Sequence, residues 1–475
     1  MVIRHGISAH LCALRQALFL GSCALVLGLT AAAQGQQQRT ALDDYVAKAD
    51  DSFSWTVAAT HKEDGYTHFV LDLKSQSWRS PDEVSRTQWE HWVTIVKPDR
   101  VTAKNAMLFI GGGGKKTDPP SKPSDIAKTL ALGTGSIVAE LSMVPNQPLV
   151  FHKDGKERVE DDLIAYTWMQ LMKTGDPTWT ARMPMVKSAV RAMDAVQAFM
   201  KSDAGGNLPV DGFVVAGGSK RGWTTWLTGA VDKRVVAIVP IVIDVLNVRR
   251  SMDHHHHAYG FWAPSVGDYV RHKIFEMKDS AAYAALLKLE DPYSYIDRLT
   301  MPKFIVNAAG DEFFLPDSSQ FYFNELKGEK YLRYVPNANH SLRGSDALES
   351  VMAFYNAILT NKPRPQFSWT FEGEDTIRVK TKEKPVAVNL WQATNPKARD
   401  FRLETLGPEY RSHTLAASAD GDYVARVERP GQGWTAYFVE LTFDSGFKIP
   451  FKFTTAVRVT PDTLPFADKP TTGGE

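Results

Sequence analysis

The chain has 475 residues, 43% of them hydrophobic and 23% charged, a balance that supports a large apolar core and excludes intrinsic disorder as the default state. Its 55 basic and 54 acidic residues leave a formal net charge of +1, so no long-range field points to nucleic acid or to an anionic membrane. The two cysteines, Cys12 and Cys23, both lie near the N-terminus.

At that end, Arg4, His5 and Arg15 precede an apolar run over 17–29, which is followed by Ala31-Ala32-Ala33. A basic start, a short apolar stretch and small residues are the pattern of a signal peptide, here residues 1–33, and the run is short for a membrane span. Cys23 after Leu20-Gly21-Ser22 offers a lipidation alternative, but the apolar run continues past it, so cleavage near Gln34 is preferred. The expectation is export, to the periplasm or the medium, with no stable membrane span after cleavage. Removal of both cysteines would exclude disulfides, a cysteine nucleophile and cysteine metal ligands from the mature chain.

From 41 to 362, β-type apolar runs alternate with helical patterns, which predicts a mostly parallel sheet covered by helices on both faces. The predicted strands are 68–73, 90–96, 106–110, 136–141, 212–215, 235–241, 303–307 and 331–335. The first two alternate as outer antiparallel strands do, whereas the later ones are nearly continuous apolar runs suited to burial on both faces. Ala189, Met193, Val196 and Met200 mark one face of a helix that begins just after Pro184. Residues 244–299 interrupt the alternation with aromatics and histidines and are read as a cap over the sheet. After Asn361-Lys362-Pro363-Arg364-Pro365 the pattern changes to short alternating segments, including 377–379, 386–390 and 437–443. These predict an all-β sandwich, immunoglobulin-like, over 363–465.

The strongest local signal is Val214-Val215-Ala216-Gly217-Gly218-Ser219-Lys220-Arg221-Gly222, a strand running through glycines and a serine into a helix-like segment. A nucleophile elbow has this form, because its serine occupies a strained turn whose neighbours must tolerate close backbone approach. The common pattern GxSxG asks for a small residue two places after the serine; here Arg221 stands there and Gly222 follows.

In a hydrolase of this type, an acid and then a histidine follow on loops after later strands. Asp311 follows the run Phe304-Ile305-Val306-Asn307, and His340 follows the strand at 331–335. The imidazole of His340 would take the proton of Ser219 and return it to the leaving group, with Asp311 fixing the tautomer. Glu312 and Asp244 are rival acids, Asp244 the more serious because it too follows an apolar strand. For the oxyanion hole, Lys220 supplies the amide after the nucleophile. Gly112 and Gly113, in the glycine run 111–114 that ends an early strand, are candidates for the second donor. A phosphate loop does not fit, since Lys115 stands where GxxxxGK[ST] needs its last glycine.

Tyr259, Phe261, Trp262 and Tyr269 are candidate pocket aromatics in the cap, with ordinary packing as the competing reading. The run His254 to His257 is read as non-metallic, because consecutive side chains cannot all face one ion. Glu160, Asp161 and Asp162 begin a helical pattern, where acidic residues complement the helix dipole. No metal or other cofactor is implied.

At Gly217 to Trp223, at Val242-Ile243-Asp244-Val245-Leu246-Asn247 and at Ala258-Tyr259-Gly260, the chain resembles the PhoPQ-activated pathogenicity-related protein family over about residues 41–460. That resemblance implies export, an α/β-hydrolase-like domain and a serine-centred site, and it makes Ser219-Lys220-Arg221-Gly222-Trp223 a family-like elbow. It implies no particular substrate. A basic residue after the serine is also similar to glucuronoyl-esterase-like enzymes, and Arg221 is taken as a substrate-binding candidate beside Tyr259 and Trp262.

The combined expectation is an α/β-hydrolase fold with a cap insertion, followed by the C-terminal β-sandwich. The expected function is an exported serine hydrolase acting on a small-molecule ester or a peptide through an acyl-enzyme, esterase being slightly favoured. The competing expectation is an exported binding or signalling protein on the same scaffold. Trp369, Trp391 and Trp434 raise a protein or glycan partner for the C-terminal strands.

Overall fold

The structure is a computed structural model and describes residues 39–469, so the leader expected at residues 1–33 lies outside it. A short N-terminal unit reaches Asp44, whose carboxylate pairs with Arg39 at 2.8 Å, and a second unit begins at Tyr45; helix α1 (Ala41–Ala47) spans the join.

In the large unit, β1 (Ser54–Glu63), β2 (Tyr66–Ser77) and β3 (Gln88–Pro98) form an antiparallel meander. Next in the chain come β4 (Ala106–Ile110), β5 (Val138–Leu141), β6 (Phe213–Gly218), β7 (Val235–Ile241), β8 (Lys303–Ala308) and β9 (Lys330–Val335). β3 pairs antiparallel with β5, and from there the sheet runs β5-β4-β6-β7-β8-β9 with every pair parallel. The fold is therefore mixed α/β, and the middle of its large sheet is parallel. These strands are apolar nearly throughout because both faces are covered; β8 is buried at every position.

The covering helices are α2 (Asp125–Thr134), α3 (Glu160–Thr174), α4 (Arg182–Lys201), α5 (Lys220–Val231) and α9 (Ala347–Leu359). α2 shows why its ends fall where they do: the Ser124 side chain accepts from the Ala127 amide, and Gly135 closes it in the left-handed region at φ 64°. α4 starts before Pro184, which is tolerated because first-turn amides have no helical acceptor. Between β7 and β8 the cap is helical, comprising α6 (Val248–Tyr259), α7 (Gly267–Arg271), α8 (Ala281–Glu290) and short 3-10 turns. No helix among the described residues is long and apolar enough to cross a membrane.

The C-terminal strands are β10 (Phe367–Glu372), β11 (Thr376–Thr381), β12 (Ala387–Asn395), β13 (Arg411–Thr414), β14 (Tyr423–Arg426), β15 (Trp434–Phe443), β16 (Phe451–Thr454) and β17 (Arg458–Thr460). β10-β11-β14 form one sheet. The others do not stand apart as the sequence led one to expect: β16 pairs with β9 at Thr454 and Leu332, so β16-β15-β12-β13 extend the central sheet, with β17 on β15. This join covers what would be an open sheet edge. Phe453 stacks on Tyr331 with centroids 4.2 Å apart, and buried Arg333 of β9 bonds Glu440 of β15 and, at 2.8 Å, Asp346. One apolar core includes Val214, Phe304 and Phe354 together with Ile377, Leu390, Leu441 and Phe453.

Candidate active site

β6 delivers Ser219 to the C-terminal edge of the parallel sheet, and α5 starts at the next residue. Ser219 has φ 56° and ψ −124°, outside the regions that L-residues favour, a conformation that costs of order 1–3 kcal/mol. Its amide donates to the Ile241 carbonyl at 2.8 Å, which ties the turn to β7. The crossing is close: a Cβ on Gly217 would lie 2.8 Å from the Arg221 carbonyl oxygen, and one on Gly222 2.9 Å from the oxygens of Gly217 and Ile241. The small residue after the serine is thus needed at 222, while the side chain at 221 points elsewhere.

It points to Glu160, at the start of α3. The Arg221 guanidinium holds the two Glu160 oxygens at 2.7 and 2.8 Å and also donates to the Val144 carbonyl. Burial alone would raise the Glu160 carboxyl, but Arg221 and Lys220 hold it down to about 2. The same guanidinium packs on Gly112, where an added Cβ would meet it at 2.3 Å. Arg221 therefore fixes the glycine loop after β4 and lies outside the wall of the cavity described below.

That loop reaches the same sheet edge as Ser219, because Ile110 is in register with Gly217. The carbonyls of Gly111 and Gly112 accept from the amides of Val144 and Met143 at 3.2 and 2.9 Å, and Gly113 has φ 99°. The amide of Lys220 belongs to the first turn of α5, which has no acceptor within the helix. The Lys220 side chain is nearly buried and pairs with Asp161 at 2.7 Å and Glu160 at 3.3 Å; Asp161 also accepts from the Tyr269 hydroxyl at 3.0 Å. Behind the turn, Arg182 donates to the Lys220 carbonyl at 2.9 Å, pairs with buried Glu290 at 3.3 Å and stacks over Trp223 at 4.6 Å.

Asp311 follows β8 and His340 follows β9, and the two are hydrogen-bonded: Nδ1 of His340 lies 2.9 and 3.0 Å from the Asp311 oxygens. The amides of Phe313, at 2.8 Å, and Phe314 hold the Asp311 carboxylate in place, and Glu312 accepts from the His340 amide at 3.0 Å. Burial of the ring disfavours the imidazolium, but the charge and hydrogen bond of Asp311 outweigh it and raise His340 above its ordinary value. The other nitrogen, Nε2, is buried without a hydrogen-bond partner, so the Ser219 hydroxyl does not donate to it in this conformation. Asp244, after β7, is engaged elsewhere: it accepts from the hydroxyls of Tyr322 at 2.6 Å and Tyr334 at 2.5 Å, and burial pushes it up to about 7.

Residues far along the chain brace both loops. The Leu403 amide donates to the Gly310 carbonyl at 3.0 Å, and Asn337 exchanges two hydrogen bonds with the Tyr410 backbone at 2.9 and 3.0 Å.

A cavity of about 500 Å³, counting its open mouth, has Ser219 and Lys220 in its wall. Trp223 of α5, Trp168 of α3, and Tyr269 and Phe275 of the cap form one side; Phe313 and Phe314, whose rings lie 4.4 and 6.0 Å from the His340 ring, also line it. Tyr269 is thus a pocket residue. Tyr259 instead packs with Ala258, Ala263 and Leu315, and Trp262 stacks behind Phe275 at 3.8 Å. The histidine run diverges: His254 bonds Asp317 at 3.0 Å, whereas His255 accepts from the Ala263 amide at 3.1 Å. Sequence reasoning missed Trp168, Trp223 and Phe313 as wall residues and treated Asp161 as a helix-dipole residue; the step from Ser219 to Trp223, one helical turn, was the available signal.

The chain is 38% identical over 458 residues to Autocrine proliferation repressor protein A of Dictyostelium discoideum, an alignment covering 90% of this chain and 92% of that protein. Among solved structures it is similar to acetyl xylan esterase 1 from a Thermoanaerobacterium species, at 15% identity and a TM-score of 0.46, covering 68% of this chain and 94% of that one. It is also similar to a glucuronoyl esterase from Solibacter usitatus, at 14% identity and a TM-score of 0.34, covering 60% and 77%. Residues 42–402 match the PhoPQ-activated pathogenicity-related proteins, and with a relative this similar over nearly its whole length the chain belongs to that family.

Proposed function

We propose that the protein is a serine hydrolase of the α/β-hydrolase fold that cleaves an ester, in preference to an amide, through an acyl-enzyme on Ser219. The observation that carries this reading is the strained serine at the edge of a parallel sheet that also presents a hydrogen-bonded Asp311–His340 pair, its outer nitrogen buried and unpartnered. Such a nitrogen is costly to leave unsatisfied, and a reacting hydroxyl is the partner that removes the cost.

In the reaction, Ser219 Oγ attacks the carbonyl carbon and its proton passes to His340 Nε2. The oxyanion is received by the Lys220 amide and by an amide of Gly112 or Gly113. The C–O bond to the alcohol then breaks as His340 returns the proton to the departing oxygen. Water adds by the same route, His340 taking its proton and giving it back to Oγ as the acid leaves. Asp311 holds the tautomer and stabilises the imidazolium throughout. No step calls for a metal.

Incubation with a fluorophosphonate tests the proposal. Labelling at Ser219 that is lost in Ser219→Ala supports it, and no labelling of folded protein refutes it. The name of the Dictyostelium relative favours a second reading, an exported signalling or binding protein on this scaffold with little turnover. Undiminished biological effect of the Ser219→Ala protein would support that reading. In both, the leader at residues 1–33 directs export, and the C-terminal strands are immunoglobulin-like layers that support the loops of Asp311 and His340 and offer a face to a protein or glycan partner.

A further inference from the structure

We infer that the cavity beside Ser219 receives an uncharged aromatic acyl group, so that the substrate is an ester of an arylalkanoic acid; the inference rests on the serine-hydrolase reading above. Composition is the first argument. Ten of the thirteen side chains in the wall are aromatic or aliphatic, so burial of an apolar acyl group is favoured there over a two-carbon one.

Shape is the second. Trp168 meets Trp223 at 70° with centroids 5.8 Å apart and lies 5.3 Å from Tyr269, so one side offers ring edges and faces at fixed angles. Phe275 is held flat by Trp262 at 3.8 Å, and Phe313 and Phe314 add further rings. A planar apolar group has edge-to-face and offset partners there.

Charge is the third. The charged groups in the wall, Asp161 and Lys220, pair with each other at 2.7 Å, and the Tyr269 hydroxyl takes a further Asp161 lone pair. An ionised substrate group would lose its hydration and find no unpaired counter-charge in the wall, which favours an uncharged one. Position decides which side of the substrate enters. Ser219 and Lys220, the nucleophile and the first oxyanion donor of the reading above, are both in the wall, so the substituent of the acyl carbon bonded to Ser219 is the part assigned to the cavity.

The test compares p-nitrophenyl acetate, p-nitrophenyl phenylacetate and the p-nitrophenyl ester of a trimethylammonium acid of similar bulk on the intact protein. Phenylacetate is expected to exceed acetate in kcat/KM by about 10- to 200-fold, the range of a well-filled apolar pocket, and the cationic ester to gain nothing. Turnover with a phenylacetate advantage below threefold, or an equal gain for the cation, overturns the inference and leaves the serine reading intact. In parallel, phenylacetamide is titrated against the tryptophan fluorescence of Ser219→Ala, where no acyl transfer can occur. Saturable binding there without ester turnover by the native protein would support the aromatic pocket while refuting the hydrolase reading; neither binding nor turnover would overturn both.

Discussion

Replacing Asp311 by asparagine removes one charge and little else. The amides of Phe313 and Phe314 donate to Oδ1, which asparagine retains, so the loop keeps its anchor. What disappears is a negative charge within 3.0 Å of His340 Nδ1 in a buried setting. Unit charges about 4 Å apart interact by about 4 kcal/mol at an effective dielectric constant near 20, and 1.36 kcal/mol is tenfold in rate, so the imidazolium loses about 10³-fold support. The amide NH₂ also favours a histidine that accepts at Nδ1 and carries its proton on Nε2, where it cannot act as a base, which takes the expected loss of kcat to about 10⁴-fold. Because Asp311 raises His340, the rise of activity with pH should move to lower pH in the variant. The assay is steady-state hydrolysis of a p-nitrophenyl ester across pH, with circular dichroism to confirm folding. A loss under tenfold, or a rise that stays in place, would refute the assignment of Asp311 as the acid that supports the base.

Linkage gives a stability counterpart: the raised His340 contributes fully below its unfolded value near 6.5, and the contribution fades as pH rises through the folded value. Denaturant midpoints should therefore lose this pH dependence in His340→Gln. Asp244 is also raised, to about 7 from 3.8, so the wild type should lose stability between about pH 4 and 7 through this group, and Asp244→Asn should flatten that slope; an unchanged slope would contradict it. Glu290→Ala leaves the buried guanidinium of Arg182 without its carboxylate and should cost about 3–5 kcal/mol in urea unfolding, with an unchanged midpoint as the contrary result. Gly222→Ala forces a methyl against two backbone oxygens and should cost about 1–3 kcal/mol, together with slower fluorophosphonate labelling.

Much of this arrangement is legible in the sequence because it is local. Apolar runs at 106–110 and 235–241 coincide with β4 and β7, and the glycine-flanked serine announces its own turn. β1 escaped notice because it is an edge strand with mostly exposed residues and little alternation. The choice between Asp311 and Asp244 could not be made locally, since both follow apolar strands; what separates them is Tyr322 and Tyr334, 78 and 90 positions from Asp244, which occupy its oxygens. Arg221 is read as a substrate residue until Glu160, 61 positions earlier, is seen to take its guanidinium. The aromatic wall is assembled from α3, α5, the cap and the Asp311 loop, and no single periodicity announces it. The fusion of β16 to β9 depends on Leu332 meeting Thr454, a contact that strand patterns alone do not encode.

The bonds from Leu403 and Tyr410 to Gly310 and Asn337 bear on how this protein can be dissected or shuffled. A fragment ending between α9 and β10 would keep Ser219, Asp311 and His340 while losing the struts beneath the loops of the last two and uncovering the edge of β9. The inheritable and engineerable module is accordingly the whole body from Tyr45 onward. A graft that swaps only the α/β half should yield an inert product, however faithfully Ser219 and its partners are copied.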